Sequence, residues 1–176
     1  MNSPLREKKV SESKTIMTEM VMPNDSNPLG NLMGGNLMRW MDIVASICAG
    51  KHCESHVVTA SVDHVSFTYP IPIGAVVTLD AQVTRAFNSS VEISVQVYTA
   101  DIKGLNNKRT NHAFLTFVAL DETTMKPIPV PPIAPITQEE NTYFEGAIRR
   151  RELRLILSGR MKASDALQLK EYINKA

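Results

Sequence analysis

The sequence predicts an α+β fold in which a five-stranded antiparallel sheet wraps around one long buried helix. Two observations carry that prediction. The stretch Met33–His52 is apolar on nearly every helical face. Five strand-like runs flank it, one before and four after, with turn residues between them.

Residues 1–13 are polar and charged without periodicity, which predicts a flexible arm. Thr15–Met22 (TIMTEMVM) is apolar enough for a first strand. PNDSNPLGNLMGG follows and demands a loop. Leu37, Met38, Trp40, Met41, Ile43, Val44, Ala45, Ile47, Cys48 and Ala49 then give a helix buried on most sides. The later strand-like runs are Val57–Tyr69, Val76–Phe87, Ser90–Asp101 and Lys108–Leu120. In the third of these, Val91, Ile93, Val95 and Val97 share one face and Glu92, Ser94, Gln96 and Tyr98 the other. Pro70, Pro72 and Gly74 close the first run, Lys103-Gly104 and Asn106-Asn107 the third; connections this short favour antiparallel pairing. The central domain is expected over 14–125. Residues 126–176 hold a proline-rich spacer (KPIPVPPIAPI), a basic helix over Tyr143–Leu157, and a short last helix capped by Ser164.

With 43% hydrophobic and 21% charged residues, the 176-residue chain suits one domain with a real core. A net charge of +1 and 6% aromatic residues give neither the field nor the stacking surface of a nucleic-acid binder. No apolar run reaches the ~18 residues of a membrane span. MNSPLREKKVSESK lacks the apolar core of a signal peptide, so the expected location is the cytoplasm. Cys48 and Cys53 would point about 140° apart on one helix, which disfavours a mutual disulfide; they read as buried thiols of a reducing compartment.

No phosphate-binding glycine loop, nucleophile elbow or metalloprotease motif occurs, and no metal is expected. His52, His56, His64 and His112 read as surface or capping residues, although the first two are four apart. Two features could carry chemistry. Asp42 sits inside the apolar helix, where a carboxylate is costly unless it is used or paired; a structural ion pair is the alternative. Gly34-Gly35 opens the same helix, after a loop carrying Asn27 and Asn31. Exposed N–H groups at such a terminus can hold an oxyanion, although ordinary helix-entry glycines look the same. Gly34 and Asp42 are eight residues apart, so about 12 Å along the helix. One helix cannot present both to a single carbonyl, so a shared function would need a second, antiparallel copy of the helix in a twofold dimer.

The segment from PNDSNPLGNLMGGNLMRWMDIVASICAGKHC through VTASVDHVSFTYPIPIGAVVTLDAQVTRAFNSSVEISVQV to TNHAFLTFVALDE resembles the hotdog-fold acyl-CoA thioester hydrolases. The resemblance implies a hotdog fold and hydrolysis of acyl-CoA to a fatty acid and coenzyme A, with no cofactor. It implies Asp42 as catalytic carboxylate, Asn27 as an amide from the facing protomer, and Gly34 and Gly35 as the groups that polarise the carbonyl. Coenzyme A contacts would fall on Ala60, Ser61 and Val62 and on Ser89, Ser90 and Val91. Arg150, Arg151 and Arg154 would take the nucleotide phosphates, unless they pair with Glu145 or Glu152 on a solvated face. The implied assembly is a homodimer with shared sites, built into a hexamer as a trimer of dimers. Ser46, four residues after Asp42, shares its helix face and could orient the carboxylate or a water. Two other functions compete: a hotdog hydratase or dehydratase, which would need a histidine in the loop or early helix, and a non-catalytic acyl-CoA-binding module.

Overall fold

A computed structural model describes residues 5–63, 65, 67 and 69–175. The elements are β1 (Lys8–Lys9), α1 (Val10–Ser13), β2 (Thr15–Met20), α2 (Gly34–Cys53), β3 (His56–Val62), β4 (Val76–Ala86), β5 (Ser90–Ala100), β6 (Lys108–Leu120), β7 (Ile133–Ala134), α3 (Gln138–Leu157) and α4 (Leu167–Lys175). Five strands form one antiparallel sheet in the order β2-β4-β5-β6-β3, curled around α2.

Alternation along β5 sets which face of the sheet meets α2. Val91, Ile93, Val95 and Val97 are fully buried in the core with Leu37, Trp40, Met41, Val44, Cys48 and Ala49 of the helix. The curl covers one flank of α2 only. Met38, Arg39 and Ile47 are exposed on the other flank, beside the free edge strand β3, so the helix is less enclosed than its composition predicts. Cys48 and Cys53 are free and buried; burial pushes their thiols up to about 12 and about 11. The strand predicted over Val57–Tyr69 ends at Val62. His64, Ser66 and Thr68 lie outside the described residues.

Residues 8–13 are packed rather than flexible. β1 pairs in parallel with β7, and Val10 and Ser13 are buried. Lys8 threads its ammonium onto the end of α2, donating to the carbonyls of Lys51 and His52 and to Glu54. Two of these hydrogen bonds meet orphan carbonyls at the negative end of the helix dipole, and the third meets a carboxylate. The proline-rich segment is also part of the domain: Val130 and Ile133 are buried, and the Pro131 carbonyl accepts a hydrogen bond from the His52 ring at 2.8 Å.

α3 lies across the outer face of the sheet, over Glu92 and Ser94, which are both fully buried. It starts at Gln138 rather than Tyr143 because Thr137 and Glu140 form a capping box. α4 begins at Leu167, and Ser164 does not cap it. The buried Glu152 of α3 does so instead, accepting from the N–H groups of Gln168 and Leu169. Among the described residues no helix is long and apolar enough to cross a membrane.

Deleting residues 1–13 should destabilise the protein by about 3 kcal/mol, from the loss of buried Val10 and of the Lys8 cap. Urea-unfolding midpoints measure this; an unchanged midpoint would restore the flexible arm.

Candidate active site

The loop before α2 is tied down at several points. The carbonyl of Asp25 accepts from Met33 N–H (2.9 Å) and from the Asn36 amide (3.2 Å). Asn27 Oδ1 accepts from the N–H groups of Leu29 (2.9 Å) and Asn31 (3.2 Å), an Asx turn that fixes its side chain. Its Nδ2 has no partner among the described residues and remains able to donate. Asn31 itself serves the loop, since it bridges to Pro72.

α2 starts directly after Met33, which has no side-chain cap to offer. The N–H groups of Gly34 and Gly35 consequently have no acceptor among the described residues. The two glycines differ in purpose. A Cβ on Gly34 would come within 3.1 Å of the Phe67 ring, which would have to give by a few tenths of an ångström to admit it. A Cβ on Gly35 would meet nothing within 4 Å; that position faces open space.

Two turns along, Asp42 is half-buried on the open flank of α2, not enclosed in the core. Thr59 of β3 donates to its Oδ1 at 2.7 Å, and Oδ2 has no partner among the described residues. Ser46 does not orient Asp42: its hydroxyl donates to the carbonyl of Ile43 within its own helix. A groove of about 340 Å³ runs beside the helix from Gly35 to Asp42, with Met38, Met41, Val62 and Leu115 as apolar walls.

A thioesterase superfamily domain matches residues 29–105. The Bacillus subtilis protein YkhA, an acyl-CoA thioester hydrolase by name, is 41% identical over 139 residues, which are 79% of this chain and 80% of that one. An acyl-CoA hydrolase from Staphylococcus aureus, solved with butyryl coenzyme A and coenzyme A, superposes with a TM-score of 0.80 at 36% identity, over 96% of this chain and 99% of that one. This chain belongs to the acyl-CoA thioester hydrolases. A hexameric acyl-CoA thioesterase has a TM-score of 0.84 at 37% identity, over 88% of this chain and 98% of that one. The S. aureus hydrolase has also been solved with single alanine replacements of an aspartate, a threonine and an asparagine.

Within this hydrolase family member, Thr59 is the residue that sequence reasoning missed. It precedes the Ala60-Ser61-Val62 segment already singled out, but a lone threonine on a strand carries no signal until its partner is seen. Ala60 is the extra residue of a β-bulge between Thr59 and Ser61, where the pairing with β6 shifts. Ser61 donates to Asp63 at 3.1 Å. Ser89 and Ser90 form the β4–β5 turn, while the side chain of Val91 is buried in the core and only its backbone could meet a ligand.

The three arginines separate. Arg150 donates to the fully buried Glu92 (2.7 Å) and to the Tyr143 carbonyl, and stacks on the Phe114 ring. Arg154 pairs with Asp63 at 2.7 Å and lies 3.8 Å from Glu92. Neither pairs with Glu145 or Glu152. Arg151 is exposed and has no carboxylate partner among the described residues; its guanidinium stands 5.0 Å from the Phe87 ring, beside the Ser89-Ser90 turn. Ser61, Val62, Arg150 and Arg154 line one cavity under α3, and Ala60, Arg151, Ser89, Ser90 and Val91 lie outside it. No group of three His, Cys, Asp or Glu among the described residues could hold a metal.

Arg150→Met should destabilise the fold by roughly 3 kcal/mol, because it strands the buried Glu92 carboxylate. Arg151→Gln should change stability by less than about 0.5 kcal/mol. Chemical denaturation of the two variants checks the division; equal effects would contradict it.

Proposed function

We propose that this protein hydrolyses acyl-CoA thioesters at sites shared between two subunits, with Asp42 and Thr59 from one and Asn27, Gly34 and Gly35 from the other. One observation carries the assignment. A carboxylate with one oxygen held by Thr59 and one unpaired lies on the uncovered flank of α2, about 12 Å from unpaired N–H donors at its start. An antiparallel second copy of α2 brings the two halves together. The exposed Met38, Ile47, Val58 and Val62, with the free edge of β3, form the apolar surface such a copy would cover. The hydrolase from S. aureus had an aspartate, a threonine and an asparagine replaced, the same three residue types.

The thioester carbonyl oxygen sits on the Gly34 and Gly35 N–H groups, which stabilise the charge that develops on it. Asp42 then acts in one of two ways. As a general base it takes a proton from the attacking water; as a nucleophile it forms a mixed anhydride that water opens. Coenzyme A thiolate leaves in either case. Asn27 Nδ2 orients the water or the thioester. The acyl chain enters the apolar groove beside Asp42, and the pantetheine arm runs along the bulged edge Ala60–Val62. The nucleotide phosphates take Arg151 and the Ser89-Ser90 turn, since Arg150 and Arg154 are neutralised inside the fold. No metal or dissociable cofactor enters these steps. The dimers assemble into a hexamer, as in the related thioesterase, and the protein works in the cytoplasm.

Asp42→Asn should lower kcat for acyl-CoA by about 10²–10⁴-fold while coenzyme A still binds, measured by thiol release and by calorimetry. Retention of more than about a tenth of kcat would remove Asp42 from the chemistry.

Subunit sharing has its own test. Asn27→Ala and Asp42→Ala chains, each inactive, are co-expressed with different tags. Random pairing makes about half the dimers mixed, and each mixed dimer holds one intact site, so activity should return to roughly a quarter of wild type. Activity at the mutant floor, with mixed dimers confirmed by their tags, would place both residues in one chain.

A further inference from the structure

The cavity under α3 and the groove beside Asp42 meet at one residue. Val62 lines both, whereas Ser61, Asp63 and Arg154 line the cavity alone. Ser61 and Val62 are thus a lip between the two spaces, within the edge assigned above to the pantetheine arm. Little backbone pairing holds this lip. The bulge at Ala60 breaks the ladder before it, Ser61 and Val62 pair with Thr116 and Leu115, and β3 then ends. One further bond follows, from Asp63 N–H to the Phe114 carbonyl at 2.8 Å.

Side chains tie the lip to α3 instead. Ser61 Oγ donates to Asp63 Oδ1 at 3.1 Å, and Arg154 Nη1 donates to Asp63 Oδ2 at 2.7 Å. The Asp63 carboxylate therefore joins lip and helix, one oxygen to each. Arg154 is itself well anchored. Its side chain is only 13% exposed and lies 3.8 Å from Glu92 Oε2, an oxygen without a hydrogen-bond partner among the described residues. Glu92 is fully buried on β5, and Arg150 holds its other oxygen from one turn earlier on α3. Exposed ion pairs contribute little because two long side chains must lose their freedom to form them. Here the arginine is already immobilised by the core, so the contact can hold Asp63, and through it the lip, in one place.

We propose that Asp63 and Arg154 are positioning residues for substrate binding, holding the Ser61–Val62 lip where the pantetheine arm passes; this rests on the substrate path proposed above. Neither residue need touch the substrate. Without the pair, the lip leaves its place for part of the time, and apparent affinity falls with the fraction of molecules in the competent arrangement. The chemical step after binding is largely spared. Thr59, which holds Asp42, lies before the bulge and keeps its own pairing with Phe117. In this way α3 acts on substrate affinity without giving Arg154 to a phosphate.

Thiol release by the full-length protein tests the role, with octanoyl-CoA and octanoyl-pantetheine, which lacks the nucleotide, as substrates. Arg154→Gln and Asp63→Asn should each raise KM about tenfold for both esters and change kcat by less than about threefold. The double variant should be no worse than either single one, since all three remove the same contact. Arg154→Lys should recover most of the loss, because the contact to Asp63 uses a single guanidinium nitrogen. Circular dichroism verifies that the variants fold. Four results would overturn the proposal. An unchanged KM for both esters would leave the pair a purely structural contact. A rise for the coenzyme A ester alone would put Arg154 on the nucleotide phosphates. A fall in kcat as large as the rise in KM would mean that the pair holds the catalytic groups themselves. Additive losses in the double variant would mean that the two residues act separately. A wild type that releases thiol from neither ester would overturn the proposed hydrolysis as well, whereas any of the four patterns in an active wild type overturns this role alone.

Discussion

Burying α2 is the constraint on which the rest of the molecule depends. A single helix carrying Leu37, Trp40, Met41, Val44 and Cys48 must remove that surface from water, and only a strongly curled sheet can cover so much of one helix. The curl has two consequences. Its outer face is left to be covered by something else, and α3 covers it. Its two edges do not close around the helix, so one flank of α2 stays open beside β3. Asp42 lies on that flank, where a carboxylate keeps access to water in the single chain and is not a buried, unpaired charge.

The outer face shows how the C-terminal part became integral to the domain. A fully buried glutamate on β5 is tolerable only if its charge is met, and Arg150 reaches it from α3. Thr84 adds a hydrogen bond to the same carboxylate at 2.7 Å. Once Glu92 and Arg150 are paired, neither the sheet nor the helix can be exposed alone without stranding a charge. Their pairing also removes Arg150 from the pool of groups available to phosphate, and the Asp63 contact does the same for Arg154. Electrostatic need inside the fold has thus divided three neighbouring arginines between structure and surface.

Much of this was visible in the order of residues, and the reasons for the exceptions are physical. The alternation Val91, Ile93, Val95, Val97 and the apolar run of α2 are local patterns that tertiary structure had no cause to override. Residues 8–13 look disordered because Lys8 is read as a surface residue; its burial depends on carbonyls forty residues away, at the end of α2. The start of α3 was signalled by Thr137 and Glu140, a capping box overlooked in favour of the apolar residues from Tyr143 onward. Asp42 could be singled out because a carboxylate in an apolar helix conflicts with its surroundings. Thr59 could not, because a threonine on a strand conflicts with nothing. The arginines were recognisable as cations, but a sequence does not say which carboxylates will already hold them.

In the proposed shared site, the two oxygens of Asp42 would meet different demands once a second copy covered the flank. Covering it removes water from the carboxylate, a cost of several kcal/mol if no hydrogen bond replaces the solvent. Thr59 replaces it at Oδ1 from within the same chain, so that part of the compensation is in place before any partner arrives. Oδ2 has no such partner among the described residues, and in the shared-site arrangement only water or the thioester can supply one. The chain that contributes the carboxylate therefore leaves unsatisfied, among the described residues, the oxygen that the proposed reaction would use. The same asymmetry holds at the other half of the site, where Asn27 commits its oxygen to the loop and keeps its nitrogen free. Each half is fixed by bonds to its own chain and is complementary, in its remaining donors or acceptors, to a reacting group rather than to its own fold.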